Sequence, residues 1–378
     1  MIAMRWMLSL VSNGIQPPGV RAVVAAGGIN PFLSWMACAL LLTSPEQMMG
    51  QPLVDGQPVT KGDHVQTETF EPVRIKKSIV PAYPSEARAN FEEGWVQLQF
   101  MVSPEGKAYE AYVLQSVGSK EFQRAALQAI QDFTFEPAIE NGHPIDSTAC
   151  IKFKFELNGG LQGAREIYIA GYRAFDRAMA AGDKAAADAA LAKLRISNLY
   201  EDAYYGVAQY RYALKWGDEK DQMSGLRRAI ASESSAHYLP KTLFVSALRD
   251  LFRLEVGAQN FAAAMSTWET MLKAGIDQQT RSEFQPIVDK LNVLRTDDRA
   301  YAITGQIIES LWEYHLFKSW FHLAVSEGQI TGVRLLCDKK YVEFKYDPEL
   351  DYRVSNHYGQ CALALSGDAG TQFRLIQH

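Results

Sequence analysis

GWVQLQFMVSPEGKAYEAYVLQS, residues 94–116, decides the fold of the central part of the chain. Val96, Leu98, Phe100 and Val102 alternate with Gln97, Gln99 and Met101, the period of two expected of a half-buried strand. Ser103-Pro104-Glu105-Gly106 supplies Pro and Gly for a tight turn, and Ala108 to Ser116 reads as the returning strand. Upstream, PAYPSEAR (81–88) puts Pro84 at the first turn of a short helix reaching Phe91, with Glu86 near its N-terminus and Gly94 ending it. Downstream, Ser119 is placed to cap a helix whose stripe is Phe122, Ala125, Ala126, Ala129, Ile130 and Phe133, with Pro137 just beyond its end. Ile151, Phe153, Phe155 and Leu157 then alternate with Lys152, Lys154 and Glu156, a third strand with one apolar face. The order α-β-β-α-β predicts an α+β unit, a small sheet with helices on one face.

This string resembles the TonB C-terminal domain family. Tyr83-Pro84, Ala87, Gly94, Val96, Phe100, Val102, Gly106, Ser116, Phe122, Ala125, Ala129, Phe133, Pro137 and the closing aromatic strand carry the resemblance, within residues 81–158. It implies a periplasmic domain of a Gram-negative envelope. Such a domain binds the TonB box, a short extended peptide at the N-terminus of outer-membrane TonB-dependent receptors, in energy-coupled transport. The peptide adds to a sheet edge, where backbone groups supply affinity and side-chain pockets selectivity. The family's receiving edge is the last strand, which maps to Cys150, Ile151, Lys152, Phe153, Lys154, Phe155, Glu156 and Leu157. Lys152 and Lys154 also fit a plainer reading, as charges that discourage edge-to-edge aggregation.

Three features depart from an energy transducer of this family. The residue four after Ser34 is Cys38, where the family carries the His used to couple to the ExbB–ExbD motor. The tether lacks the family's long Pro-rich spacer. Residues 159–378 follow a domain that normally ends the chain. All three weigh against an ExbB–ExbD-like motor as a partner.

The N-terminus reads as an export signal. No residue between Arg21 and Glu46 is charged, and PFLSWMACALLLT (31–43) is its densest apolar part. Arg5 and Arg21 precede it and acids follow. A cleaved signal peptide and a retained membrane anchor both fit residues 1–43; a buried core helix is the plain alternative. Export places the chain in the periplasm, where disulfides persist. Residues 44–80, with Pro45, Pro52, Pro58 and Pro72, read as an irregular linker.

Residues 160–310 read as an all-α region. Gly182-Asp183 and Gly217-Asp218 each follow an aromatic-rich helix and precede an Ala/Leu-rich one. A third pair runs Leu243 to Glu255 and then Asn260 to Leu272. This spacing resembles tetratricopeptide-like repeats with a loose consensus. A generic helical bundle fits as well. Stacked pairs would offer a concave face for protein–protein interaction. Tyr168, Tyr172, Tyr205, Tyr210 and Tyr212 fit either a lining of that face or core packing.

Residues 311–378 read as a small β-rich unit. Val333, Leu335 and Cys337 precede a turn and then Val342, Phe344 and Tyr346, a plausible hairpin. Cys361, Leu363 and Leu365 lead through Gly367-Asp368-Ala369-Gly370 to Phe373 and Leu375, and a second hairpin fits. Cys337 and Cys361 both fall in strands, so they can pair as a disulfide or stay as buried thiols. Trp312 to Val325 fits helix or strand.

The chain has 378 residues, 47% of them apolar, and a net charge of −5. That is globular composition, without the basic footprint of a nucleic-acid binder. There is no H-E-x-x-H, G-x-S-x-G, phosphate-loop or C-x-x-C motif, so neither an enzyme, a metal nor a cofactor is expected. His315 and His322, seven apart, would share a face if they lay on a helix. Two function classes remain: a TonB-like peptide binder, or a periplasmic scaffold or assembly protein in which the helical repeats recognise other proteins or peptides.

Overall fold

The structure, a computed structural model, describes residues 20–25, 70–157, 163–231, 238–308, 311–337, 340–355 and 358–378. Cys38, most of the segment expected to be signal or anchor, and the linker up to residue 69 lie outside these. Among the described residues, no helix is long and apolar enough to cross a membrane.

The first described element is strand β1 (Val20–Ala25), inside the stretch read as a leader. Strands β2 (Phe70–Glu71) and β3 (Arg74–Lys77) follow. The expected irregular linker therefore ends in structure. The cause is apolar: Val73 is buried, and Phe70 and Ile75 pack against the same core. Helix α1 (Ser85–Ala89), β4 (Gly94–Val102), β5 (Ala108–Val117) and α2 (Lys120–Gln131) come next. The Ser119 hydroxyl accepts from the Glu121 amide, capping α2. Short strands β6 (Thr134–Glu136), β7 (Ala138–Glu140) and β8 (His143–Ile145) lead to β9 (Ser147–Leu157). β6 pairs with β3, and β7 with β2 and β8. Pro137 separates β6 from β7.

The main sheet has the order β1-β9-β4-β5, antiparallel throughout. Ala87 of α1 and Phe122, Ala126, Ala129 and Ile130 of α2 close one core with Val96, Leu98, Phe100, Val102, Ile151, Phe153 and Phe155 of the sheet. Sequence periodicity predicts strands with one wet face. β4 and β9 are instead buried on both faces, because Gln97, Gln99, Lys152 and Lys154 lie beneath other parts of the chain.

Seven helices follow among the described residues: α3 (Glu166–Ala181), α4 (Lys184–Lys193), α5 (Leu199–Trp216), α6 (Glu219–Ile230), α7 (Lys241–Gly257), α8 (Phe261–Lys273) and α9 (Gln278–Thr296). Successive helices pack on one another, α3 on α4, α5 on α6 and α7 on α8. Gly182 takes the left-handed backbone, at φ 72°, that ends α3. Asp183 then caps α4, and Asp218 caps α6 in a reciprocal box with Asp221. Tyr168 and Tyr172 are buried with Phe175 in the helical core, as packing residues rather than a surface lining. Helix ends at Thr296, and strand β10 (Tyr301–Gln306) begins before residue 310. The helical region is therefore shorter than its expected bounds.

The C-terminal unit continues with β11 (Leu311–His315), β12 (Trp320–Glu327), β13 (Ile330–Cys337), β14 (Tyr341–Phe344), β15 (Tyr352–Arg353), β16 (Cys361–Gly367) and β17 (Gln372–Gln377). Sheets β10-β17-β12-β15 and β11-β16-β13-β14 share one core, the layout of a sandwich. β13 and β14 form the expected hairpin. β16 and β17 do not pair with each other. They lie in opposite sheets, with Leu363 and Leu365 meeting Phe373 and Leu375 across the core. Alternation alone cannot tell a hairpin from a crossing between sheets. Cys337 opposes Cys361 in the register, and the two are joined by a disulfide. His315 and His322 sit on strands of different sheets, so they share no helix face.

Gly206 of α5 and Gly225 of α6 let two backbones touch. A Cβ at Gly206 would lie 2.4 Å from the Ala229 amide nitrogen, and one at Gly225 would lie 2.5 Å from that of Tyr210. Gly206→Val is therefore expected to destabilise the chain by about 1–3 kcal/mol or more through overpacking. Gly257→Ala, where nothing lies within 4 Å, should be neutral or stabilising by roughly 0.5 kcal/mol. Denaturant midpoints of the two variants check this.

Candidate functional site

β9 is the strand on which the rest of the chain converges. Along one edge it pairs with β4 over its length, from Gly94↔Phe155 to Val102↔Ser147. Its odd-numbered residues face the domain core. Phe155 stacks on Phe122 at 4.5 Å between ring centroids, and Phe133 meets Phe153 edge-on at 5.8 Å. Tyr83 stands edge-on to both Phe122 and Phe155, and its hydroxyl donates to the Glu92 carbonyl. Burial holds the Tyr83 phenol far above the usual range, so it stays a neutral donor.

Two glycines of the family motif answer to geometry. A Cβ at Gly94 would lie 2.1 Å from the Val117 carbonyl oxygen. Gly106 has φ 74°, and a Cβ there would lie 2.1 Å from the Phe135 carbonyl oxygen. Only glycine fits either place.

The even-numbered residues of β9 lie under the rest of the chain. The Lys152 ammonium donates to the Ala231 carbonyl at 2.8 Å and lies 3.8 Å from the centre of the Trp95 ring. Lys154 pairs with Glu156 at 2.7 Å and lies over Tyr238, whose hydroxyl also donates to Glu156. The Cys150 thiol accepts from the Gln97 amide. Thr148 donates its hydroxyl to the Cys337 carbonyl at 3.2 Å, and Lys340 pairs with Glu140 at 2.9 Å. The helical region and the C-terminal sandwich both dock here.

Lys152 and Lys154 are only 7% and 6% exposed. They do not project from the edge to repel other strands; they fasten the sheet to the helices. Trp95 opposes Lys154 and Gln97 opposes Lys152, so Trp95 and Lys152 are diagonal neighbours on facing strands, as are Gln97 and Cys150. Periodicity alone gave no reason to pair them.

Glu93 completes this end of the site. Its carboxylate accepts from the Leu157 amide at 3.2 Å. Burial raises its pKa, opposed by backbone hydrogen bonds from Leu157 and Leu199.

With one edge on β4 and both faces covered, β9 has a single side left, its outer edge. An antiparallel strand sits there: β1 pairs from Val20↔Leu157 to Ala25↔Lys152. The outer edge of β9 thus accepts a six-residue extended segment.

Residues 80–157 match the family described as Gram-negative bacterial TonB protein, C-terminal. They form a TonB C-terminal domain. Protein TonB of Vibrio cholerae is 28% identical over 116 residues, covering 31% of this chain and 46% of its own length. Protein TonB of Pseudomonas aeruginosa is 34% identical over 77 residues, covering 20% of this chain and 22% of its own length. The solution structure of the Pseudomonas aeruginosa TonB C-terminal domain aligns at 31% identity and a TM-score of 0.21, covering 22% of this chain and 85% of that one. The chain spans less than half the length of these two curated relatives. Among the described residues, no cluster of His, Cys, Asp or Glu could hold a metal ion.

Lys152→Met keeps the apolar stem and removes the ammonium. It leaves the Ala231 carbonyl without this donor and takes the charge off Trp95. The expected loss is about 1–3 kcal/mol, read as a lower denaturant midpoint and as faster proteolysis between the TonB domain and the helices.

Proposed function

We propose that this protein is a TonB-like periplasmic component of energy-coupled transport. In this reading it binds short extended segments of outer-membrane TonB-dependent receptors by adding them to the outer edge of β9. The observation that carries the reading is that this edge already pairs with an antiparallel strand, while the rest of β9 is committed to β4, to the core and to the docked units. Backbone pairing would provide the affinity. The opposing residues Ile151, Phe153, Phe155 and Leu157 would select apolar side chains on the core face, and Glu156 would select a cation on the other. The proposed location is the periplasm, either anchored by the N-terminal run or released from it. An ExbB–ExbD-like motor would have to couple without the family's His, since Cys38 stands in its place.

The helices and the sandwich have a supporting role here. They bury the second face of the sheet and hold the edge at a fixed angle to the rest of the chain. In the competing reading the helical pairs are tetratricopeptide-like and bind the partner themselves, without motor coupling.

Titrating the isotope-labelled chain with a ten-residue peptide from a receptor's N-terminus separates the two readings. Chemical-shift changes along Cys150–Leu157, lost when alternate peptide residues are replaced by Pro, are expected. Changes confined to α3–α9 would favour the scaffold reading.

A further inference from the structure

We propose that the helical region supplies one wall of the receiving edge: Tyr238, outside the TonB domain, sets together with Glu156 a preference for lysine or arginine at one position of the added peptide. This rests on the reading of β9 given above, in which Glu156 makes that choice alone, and it extends recognition to a second unit of the chain.

The geometry follows from the pleat. Successive side chains of a strand point to opposite faces of its sheet. Peptide residues across from Phe153, Phe155 and Leu157 therefore turn toward the domain core. Those across from Lys152, Lys154 and Glu156 turn toward the face on which the helices dock. At the Glu156 position that face carries Tyr238. Its hydroxyl donates to Glu156 Oε1 at 2.5 Å, and its ring centre lies 5.0 Å from the Lys154 ammonium. Directly opposed side chains on paired strands start only about 5 Å apart at Cβ. A peptide side chain opposite Glu156 thus meets the carboxylate and the phenol together.

Tyr238 is held firmly enough to discriminate. It packs against Trp95, Leu199 and Ala231. The next residue, Leu239, is buried in the helical core, and Pro240 then opens α7. Residues 80–157 carry the family match, so Tyr238 lies outside it.

The charges give the preference its sign. Lys154 and Tyr238 share the same oxygen of Glu156, Lys154 at 2.7 Å. The Lys154 side chain is 7% exposed and that of Glu156 is 28% exposed, so the edge presents the carboxylate. Glu93 lies near the same pair and leaves this end of the strand with a surplus of negative charge. A peptide cation relieves that surplus, and its ammonium or guanidinium comes within reach of the Tyr238 ring. A peptide anion adds to the surplus. Without the phenol, Glu156 is left to Lys154 alone and turns from the peptide.

The probe is a fluorescein-labelled ten-residue segment from an outer-membrane receptor's N-terminus, made with Lys or Glu at each alternate position in turn. Binding to the full chain is followed by anisotropy. At one position only, the parent chain should bind the Lys version about tenfold more tightly than the Glu version. Glu156→Gln should bring that ratio to about one, and Tyr238→Leu should bring it to about threefold or less. Any loss of folded chain weakens both versions by the same factor, so the ratio reports selectivity apart from stability. A tenfold ratio retained in either variant overturns the proposal and leaves the receiving edge standing. A parallel loss of both versions in Tyr238→Leu, with the ratio intact, does the same and makes Tyr238 a packing residue only. Binding by the parent without any position of Lys preference also overturns it. Absence of binding by every version overturns the receiving-edge reading and this wall with it.

Discussion

The burial of Lys152 organises this molecule. An ammonium taken from water is tolerated only where it is paired or hydrogen-bonded. Here the partners are the Ala231 carbonyl just past α6 and the Trp95 ring on the neighbouring strand. The buried Asp202 carboxylate also interacts with its charge, and both Ala231 and Asp202 belong to the helical region. The sheet of the TonB domain is therefore completed by the helices C-terminal to it. Thr148 repeats the arrangement near the start of the same strand, by donating to the Cys337 carbonyl of the C-terminal sandwich. One strand thus holds three units, and the constraint leaves it a single further edge, the one along which β1 pairs.

That arrangement bears on how a pairing edge can work. Extended segments bind through backbone groups, which any strand of similar shape can satisfy. Selectivity then depends on holding the edge rigid, so that opposing side chains discriminate. Phe153 and Phe155 are locked by aromatic contacts on one face, while Lys154 and Glu156 are locked against Tyr238 on the other. The docked units act as a backing plate. They also explain why polar residues recur along β4 and β9 without reaching solvent.

Much of the TonB domain was legible in its sequence because local rules agreed there. The apolar stripe of α2, the capping Ser119 and the Gly106 turn each have one physical reading. The breaks between helices at Gly182-Asp183 and Gly217-Asp218 were equally plain, although their capping role was not read. Three things were not. The short strands β2, β3 and β6–β8 are two to four residues long, too brief to carry a period. The exchange of sheets between β16 and β17 depends on packing across a sandwich, which alternation does not encode. Lys152 and Lys154 looked like exposed edge charges, because nothing local in the sequence shows what covers a strand's second face. β1 was obscured differently: a valine-rich run that straddles Arg21 and enters the uncharged stretch after it satisfies a leader and a strand alike.

The receiving edge is tested most directly by a structure of the full chain bound to a receptor's N-terminal peptide. The account requires the peptide to lie antiparallel to β9, in the register that otherwise opposes Val20–Ala25 to Leu157–Lys152, with β4 and β5 unchanged. A peptide seated among the helices, with β1 still paired to β9, would contradict it.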